Sequence, residues 1–296
     1  LALYILTLLF LLMDFTFALE HYYKYLFFVQ FSMMTVAWVL CCVLHNGSLV
    51  DFCWPLGFTI MAVDFLINSQ GFLTRKLFIC IPYLICGFRF MFGWSFGRKH
   101  HMKEDRRWEL WREKWRNGEG LFGIKSVPLN FFFFYHMQSN TNVWIMSLPL
   151  MLMCNNGEET IHLAEIVGLS IWIISFWLEN VADVQLSTFQ IKNRGNTKCV
   201  MDKGLWKYSR HPNYFFEWMI WISYAIMALP SVNANWQYVI LGFLPIVAYY
   251  FLVHFTGVPM AEKGSLKRRG DIYRVYQDNT SMFFPWFPGN KQLKSE

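Results

Sequence analysis

The stretch from Gly204 to Trp218, GLWKYSRHPNYFFEW, concentrates the residues of this chain that are best suited to chemistry. Lys207, Arg210 and His211 bring three cationic or titratable side chains together just before a proline. Guanidinium and ammonium groups bind phosphate and carboxylate oxygens strongly, so the stretch favours an anionic ligand. The charges taken alone also fit a topological interpretation, in which basic residues mark the cytosolic end of a membrane span.

A helix is predicted to follow directly, because proline at position 212 suits the first turn of a helix. Asn213 and Glu217 are four residues apart, so they share one face of that helix. The segment from Tyr214 to Leu229 is apolar enough to enter a membrane. A cationic approach, a helix N-terminus and a carboxylate about one turn inside together suit a phosphate-bearing ligand at a membrane surface.

The composition places these residues in a polytopic membrane protein. Of the 296 residues, 55% are hydrophobic and 16% are charged, whereas a soluble domain carries about 25% charged residues. Short connections between the apolar segments predict a single membrane-embedded domain over residues 1–296. No CxxC pair or Cys/His spacing among the seven cysteines indicates a metal site, and no nucleic-acid partner is expected.

The expected fold class is all-α, a bundle of about eight transmembrane helices with a range of roughly seven to ten. The fifth span is the weakest, because Gln138, Ser139, Asn140 and Asn142 interrupt it. It is predicted as a broken span, or as a surface helix followed by a short one. The eight spans cover residues 1–19, 25–44, 50–68, 77–96, 127–153, 163–187, 213–231 and 236–256.

The basic residues predict the orientation of these spans. Lys and Arg number nine in 97–126, six in 188–212 and seven in 257–296, which is 22 of the chain's 26. With an even number of spans these segments share one side, which the positive-inside rule places in the cytosol or its organellar equivalent. The endoplasmic reticulum and the mitochondrial inner membrane both satisfy this pattern.

Two further helices are predicted outside the spans. Trp108, Trp111 and Trp115 fall at i, i+3 and i+7 with charges on the other face, which predicts an interfacial helix near 103–117 that lies on the membrane. Tyr273 and Tyr276 lie three residues apart on a short C-terminal helix. Basic residues surround them, and such a segment by default binds anionic bilayer lipids.

Three carboxylates stand out near the predicted spans. Asp51 begins the third span, where it either caps the helix or, if burial keeps it protonated, polarises a substrate carbonyl. Glu179 and Asp183 lie one turn apart near the end of the sixth span, where carboxylates are costly unless they meet donors. Ribose hydroxyls, a nicotinamide amide or an arginine such as Arg210 would supply those donors.

Three blocks of the chain resemble the steroid 5-alpha-reductase-like family of membrane enzymes, and most closely its uncharacterised branch. The string from Gly204 to Glu217 carries every fixed position of Gly-Leu-Trp-x-Tyr-Ser-Arg-His-Pro-Asn-Tyr-x-x-Glu. A Glu-x-x-x-Asp-x-Gln pattern begins at Glu179 and is followed by the basic Lys192. The third block is Gly-x-Pro-x-x-Glu, which begins at Gly257 and precedes Tyr-x-x-Tyr.

The resemblance implies an all-helical membrane bundle that binds NADPH and reduces a carbon–carbon double bond conjugated to a carbonyl, in a steroid or other lipid. A hydride would reach the β carbon of the enone while an acidic group, for which Asp51 is the candidate, polarises the carbonyl. The cofactor-binding residues implied by the resemblance are Glu179, Asp183, Lys192, Tyr208, Arg210, His211, Asn213, Glu217, Glu262, Tyr273 and Tyr276.

Two alternatives stay open from the sequence. A catalytically inactive relative would serve as a structural subunit of a membrane complex, for example a mitochondrial respiratory complex. Its partners would then be the other subunits of that complex. A methyl transferase of the isoprenylcysteine type, using S-adenosylmethionine, shares the shorter Arg-His-Pro-x-Tyr core. The flanks on both sides of that core argue against the methyl transferase.

Overall fold

The computed structural model describes residues 17–97, 104–255 and 257–289, and over these residues the chain is helical and contains no strand. The predicted all-α class is confirmed. Contacts group the chain into two compact units, the first ending at Ile161 and the second beginning at His162. The α-helices are α1 Phe17–Leu44, α2 Val50–Asn68, α3 Leu73–Gly97, α4 Arg106–Arg116, α5 Val127–Thr141, α6 Leu148–Cys154, α7 Leu163–Lys192, α8 Pro212–Ala228, α9 Asn235–Tyr250, α10 Val258–Arg269 and α11 Asp271–Asn279.

Five helical segments among the described residues are long and apolar enough to cross a membrane. They correspond to the predicted second, third, fourth, sixth and eighth spans, so the protein is an integral membrane protein. The segments are Lys24–Leu44, Gly47–Asn68, Leu73–Gly93, Leu163–Lys192 and Asn235–Arg269.

The three remaining predicted spans differ from simple crossings. The first, 1–19, lies almost entirely outside the described residues. The fifth, 127–153, is divided between α5, a π-helical segment at Asn142–Met146 and α6, in line with the polar interruption. The seventh, 213–231, forms α8, whose 17 residues are somewhat short for a full crossing. The count of eight spans therefore stays a prediction.

The predicted tryptophan helix is confirmed as α4, and its three tryptophans are buried in the first unit. The ring of Trp115 lies 4.8 Å from that of Phe131, and the ring of Trp108 lies 5.0 Å from that of Phe134. Both phenylalanines belong to α5. The stripe thus packs on an aromatic face of the protein, whereas the sequence had suggested that it would rest on the bilayer.

The turn between α1 and α2 holds α4 against this unit. Glu104 accepts a hydrogen bond from the backbone N–H of Gly47 at 2.6 Å and forms an ion pair with Arg112 at 2.7 Å. The hydroxyl of Tyr135 donates to the carbonyl oxygen of Gly47 at 3.0 Å. A Cβ atom at Gly47 would lie 2.6 Å from the ring of Phe131, so glycine is required for this close approach.

Helices α7 and α8 form the main packing of the second unit. A Cβ atom at Gly168 would lie 2.5 Å from Met227 Cγ and 2.9 Å from the carbonyl oxygen of Ser223, so glycine lets the two backbones approach closely. Small residues are common where membrane helices cross. Trp172 also donates its indole N–H to the hydroxyl of Tyr224 at 3.0 Å. These contacts align the ends of α7 and α8 that carry the predicted site residues.

The C-terminal segment of the second unit follows α11, which confirms the predicted short helix, and packs back onto the membrane helices. The rings of Phe283 and Phe284 lie 5.8 and 5.6 Å from that of Trp218 on α8. The same two rings lie 5.1 and 6.2 Å from that of Tyr249 on α9. Phe283 and Phe284 therefore pack onto α8 and α9, whereas Trp286 and Phe287 beyond them are 71% and 78% exposed.

Replacing Trp115 by alanine is expected to destabilise the first unit by about 3–5 kcal/mol, because a fully buried indole is removed and leaves a cavity. The measurement is unfolding of the purified protein in mild detergent. The matched control is Trp286→Ala, since Trp286 is 71% exposed and its loss should cost little. Equal stability of the two variants would contradict the packing described for α4.

Candidate functional site

The loop that enters the central stretch depends on Gly204 and Gln185. Gly204 has a positive φ of 59°, a backbone conformation that favours glycine. A Cβ atom there would also lie 2.6 Å from the side-chain amide of Gln185 on α7. The same amide accepts a hydrogen bond from the backbone N–H of Leu205 at 3.0 Å. The glycine and the glutamine of the sequence pattern therefore act together to position the loop.

Trp206 joins this loop to both α7 and α11. Its buried indole donates to the carbonyl oxygen of Ala182 at 3.0 Å. Its own carbonyl oxygen accepts from the hydroxyl of Tyr276 at 2.5 Å. Three residues later along the chain, the hydroxyl of Ser209 donates to the carbonyl oxygen of Phe283 at 2.8 Å. Several motif residues thus hold the C-terminal segment in place.

Arg210 is the centre of these contacts. Its Nε atom lies 2.7 Å from Glu262 Oε1 on α10. Its Nη1 atom donates to the carbonyl oxygens of Gln277 and Thr280 at 2.8 and 2.7 Å. Its backbone N–H donates to the carbonyl oxygen of Ser281 at 2.8 Å. Because the last carbonyls of a helix lack partners within the helix, Arg210 serves as a C-terminal cap for α11.

Glu262 accepts from three side chains. Besides Arg210, the His211 Nε2 atom lies 3.2 Å from Oε1, and Gln277 donates its side-chain N–H to Oε2 at 2.7 Å. The His211 ring also stacks on that of Tyr214 at 5.4 Å. The side chains of Arg210 and Glu262 are only 10% and 14% exposed. A carboxylate this enclosed is stabilised by such donors, and removal of one leaves a buried charge.

Both predicted tyrosines of α11 are buried beside this network. Burial raises the pKa of Tyr273 to about 12, and the negative charge of Glu262 adds to the effect. Burial likewise raises the pKa of Tyr276 well above its ordinary value. Both phenols therefore keep their protons at neutral pH, which suits the bond that Tyr276 donates to the loop.

Asn213 and Asp183 form a second group at the start of α8. Asn213 donates a side-chain N–H to Asp183 Oδ1 on α7 at 3.0 Å. Its other side-chain atom, Oδ1, is buried and has no hydrogen-bond partner among the described residues. A buried carbonyl oxygen without a donor is costly, and native structures rarely leave one. The geometry of this pair is therefore suited to a ligand that donates a hydrogen bond.

The remaining predicted cofactor-binding residues differ in how far they are buried and in where they lie on α7, α8 and the loop between them. Glu179 is buried one turn before Asp183 on α7, and Glu217 is half-buried one turn after Asn213 on α8. Tyr208 is 39% exposed, and the Lys207 Nζ atom lies 5.9 Å from the centre of its ring. Lys192 is exposed at the end of α7, about 14 Å along the helix axis from Asp183.

Asp51 lies in the first unit and its surroundings differ from the expectation. Leu49 occupies the N-cap position of α2 without a side-chain hydrogen bond, and Asp51 lies in the first turn of the helix and is not the cap. Its Oδ2 atom lies 3.1 Å from Arg107 Nη2 and accepts from the indole N–H of Trp108 at 3.1 Å. Both contacts use the carboxylate as an acceptor, which is the opposite of a proton-donor role. The catalytic role of Asp51 stays a prediction.

Some residues of the network were missed at the level of sequence. Gln277 contributes both its side-chain amide and its carbonyl oxygen, and Ser209 and Trp206 hold the loop and the C-terminal segment. The two loop residues lie inside the central stretch, so their position was a usable signal. Gln277 offered none beyond its place next to Tyr276.

A family model described as "Protein of unknown function (DUF1295)" matches residues 37–280. The chain therefore belongs to this family, which includes steroid 5-alpha-reductase-like proteins. An uncharacterised protein of Schizosaccharomyces pombe is 26% identical over 288 residues, covering 88% of this chain and 79% of the relative. No solved structure matches the chain significantly. The resemblance is confirmed at the level of the family, and the steroid-reductase branch stays a prediction.

Replacing Arg210 by methionine is expected to destabilise the second unit by about 3–5 kcal/mol, because Glu262 is left as an enclosed charge. Hydrogen exchange should also increase in α11, whose last carbonyls lose their donor. Arg274→Met is the matched control, since its ion pair with Asp271 is largely exposed and contributes little. Unchanged exchange in α11 of the Arg210 variant would disprove the capping role.

Gly204→Ala is expected to destabilise the loop by more than Gly195→Ala. Both glycines have positive φ, which costs an alanine about 1–2 kcal/mol. Only at Gly204 would the added Cβ meet a neighbour, the Gln185 amide; at Gly195 none lies within 4 Å. Thermal unfolding of both variants measures the difference, and equal losses would show that Gln185 adjusts without cost.

Proposed function

We propose that the protein is an NADPH-dependent reductase that acts on a carbon–carbon double bond conjugated to a carbonyl in a steroid or other lipid, in the endoplasmic reticulum or the mitochondrial inner membrane. The observation that carries the proposal is the buried Oδ1 atom of Asn213, which lacks a donor among the described residues. It belongs to the motif through which the chain resembles the reductase family. Membership of the family supports the proposal further.

The residues around Asn213 fit the nicotinamide riboside half of such a cofactor. Its carboxamide N–H and ribose hydroxyls are hydrogen-bond donors, and the surrounding side chains offer acceptors. Asn213 Oδ1 would accept from one of these donors, with the carboxylate of Asp183 beside it. Glu179 and Glu217, each one turn away on α7 and α8, would add further acceptors.

The phosphate groups of NADPH require cationic side chains. The contacts between Arg210 and Glu262 change which residues would supply them. Arg210 already bonds to Glu262 and to two carbonyl oxygens, so most of its donors serve the protein. Lys203 and Lys207 are exposed in the same loop and are proposed to bind the phosphates. The N-terminus of α8 adds the favourable end of a helix dipole.

The proposed chemistry follows from what this chain holds in place. When bound, NADPH supplies a hydride to the β carbon of the enone, and a proton adds to the α carbon. The Arg210–Glu262 pair positions the start of α8, and hence Asn213, relative to α10 and α11. The aromatic rings of Trp218, Tyr249 and the C-terminal segment exclude water from the neighbouring core. Asp51 stays the predicted acid, and a substrate carbonyl would have to displace Arg107 or Trp108 from it.

A second candidate function is favoured by a different observation. Several predicted cofactor residues, Arg210, His211, Glu262 and Tyr276, bond to one another or to carbonyl oxygens of the same unit. Such a network stabilises the fold whether or not a ligand binds. The protein would then be a catalytically inactive relative that serves as a structural subunit of a membrane complex.

The two functions are separated by nucleotide binding and turnover. Purified protein is expected to bind NADPH, in preference to S-adenosylmethionine, and to oxidise it when an enone lipid is added. Asn213→Ala should weaken NADPH binding about 5- to 10-fold, the effect of one lost hydrogen bond. Asn233→Ala, an exposed asparagine of the same unit, is the control and should bind normally.

Binding is measured by titration in detergent, and turnover by the loss of NADPH absorbance. Normal binding by the Asn213 variant would contradict the proposed role of its carboxamide. A wild-type protein that binds no NADPH, but copurifies in fixed stoichiometry with a larger complex, would favour the structural subunit.

A further inference from the structure

Two cysteine thiols meet inside the first unit. Cys80 lies on α3, and Cys154 is the last residue of α6. Both residues are 0% exposed, and their Sγ atoms lie 3.5 Å apart. Because 74 residues separate them along the chain, no local cysteine pattern in the sequence indicates the pair, and only the packing of α3 against α6 shows it.

Hydrogen bonds between the turn that precedes α3 and the end of α6 hold the backbone beside the pair. The N–H of Gly71 donates to the carbonyl oxygen of Cys154 at 2.9 Å, and the N–H of Phe72 donates to the carbonyl oxygen of Asn156 at 3.0 Å. A Cβ atom at Gly71 would overlap the same Cys154 oxygen, so glycine is required here. These bonds fix the start of α3 against the residue that carries one of the two thiols.

Arg75 on α3 holds the chain that follows Cys154. Its side chain is fully buried and donates to the carbonyl oxygens of Asn156, Glu158 and Thr160 at 3.4, 2.5 and 2.5 Å. A guanidinium carries five N–H donors in a fixed geometry, so it can bind several carbonyl oxygens at once. The chain is thus fixed both at Cys154 and beyond it, and the two thiols are held side by side, as formation of a disulfide requires.

The position of the pair along the helices indicates which side of the membrane it faces. Helix α3 ends and α5 begins beside the basic segment 97–126, whereas Cys80 lies in the first third of α3 and Cys154 at the far end of α6. The positive-inside rule places that segment in the cytosol or its organellar equivalent. The thiols therefore lie toward the opposite face, which meets the mitochondrial intermembrane space or the lumen of the endoplasmic reticulum. The lumen is oxidising, and disulfides form and persist there.

A bond between these thiols forms by exchange with a disulfide from that compartment, either oxidised glutathione or the disulfide of a protein oxidant. The thiolate of one cysteine attacks the supplied disulfide, which forms a mixed disulfide and releases one thiol. The thiolate of the other cysteine then attacks the mixed disulfide and releases the second thiol. The two cysteines together lose two protons and two electrons, and the supplied disulfide is reduced. An S–S bond of about 2.05 Å requires the two Sγ atoms to approach by about 1.5 Å.

We propose that Cys80 and Cys154 form a disulfide bond that cross-links α3 to α6 near the membrane face opposite the basic segments. Because both thiols are buried in the folded unit, the exchange takes place before α6 is fully packed, and the finished bond is shielded from reductants. The cross-link involves no nucleotide and no residue of the second unit, so it is independent of the proposed reductase activity.

The test counts the disulfide-bonded cysteines of the full-length protein. Membranes that contain the protein are dissolved in sodium dodecyl sulfate with N-ethylmaleimide, which blocks every free thiol, including those that were buried. A reductant then opens disulfides, and a polyethylene-glycol maleimide tags the thiols that are released. Each tag slows the protein on a gel, and we expect two tags with reductant and none without it. No tag after reduction would overturn the proposal.

Three variants assign the tags to particular cysteines. Cys80→Ser and Cys154→Ser each leave the other cysteine as a free thiol, which is blocked, so both tags should disappear. Cys86→Ser is the matched control, since Cys86 is also buried on α3, and it should keep both tags. The count is made in denaturant, so it does not depend on whether a variant folds. Two tags retained by the Cys80 variant would show that other cysteines are bonded and would overturn the assignment.

Thermal unfolding in mild detergent measures what the cross-link contributes to the fold. Cys80→Ser is expected to lower the midpoint by roughly 5–10 °C more than Cys86→Ser, because the unfolded chain regains the freedom of a long closed loop. Equal losses in the two variants would contradict the cross-link. Two tags in a protein that binds no NADPH would support the disulfide and reject the reductase, and NADPH binding without tags would do the reverse.

Discussion

The ion pair between Arg210 and Glu262 is the interaction on which the second unit depends. Both side chains are largely withdrawn from water, so the cost of desolvation must be offset by close and directed partners. Glu262 meets this need with two further donors, and Arg210 with carbonyl oxygens at the end of α11. One guanidinium therefore joins the start of α8 to both C-terminal helices, α10 and α11. Because Asn213 lies at the start of α8, the contacts of Arg210 fix the position of any ligand site near Asn213.

Satisfied and unsatisfied polar groups have different meanings in this protein. The network around Arg210 is closed, and its residues stabilise the unit without a ligand. Asn213 in the second unit, and the side chains of Gln30, Ser139 and His136 in the first, each have an atom without a partner among the described residues. Since such atoms are costly in an apolar interior, they mark hydrogen-bonding capacity that the described residues do not use.

The sequence predicted the helices well where a single physical signal was strong. Long apolar windows located five membrane helices, and three tryptophans in helical register located α4. It predicted less well what covers each face, because a tryptophan stripe is equally apolar against lipid and against Phe131 and Phe134. Among the candidate site residues, the motif identified Arg210, and the block that begins at Gly257 identified Glu262. It could not show that they bond to each other, since 52 residues separate them.

The sequence by itself determined the class of protein and its family, because composition, apolar length and the motif from Gly204 to Glu217 are all local properties. Only the tertiary structure decided that Arg210 faces inward, that Asp51 meets Arg107, and that Asn213 keeps an acceptor available. Hydrogen bonds act over about 3 Å and depend on direction. Their partners are therefore chosen by how distant helices pack, which no local pattern of residues records.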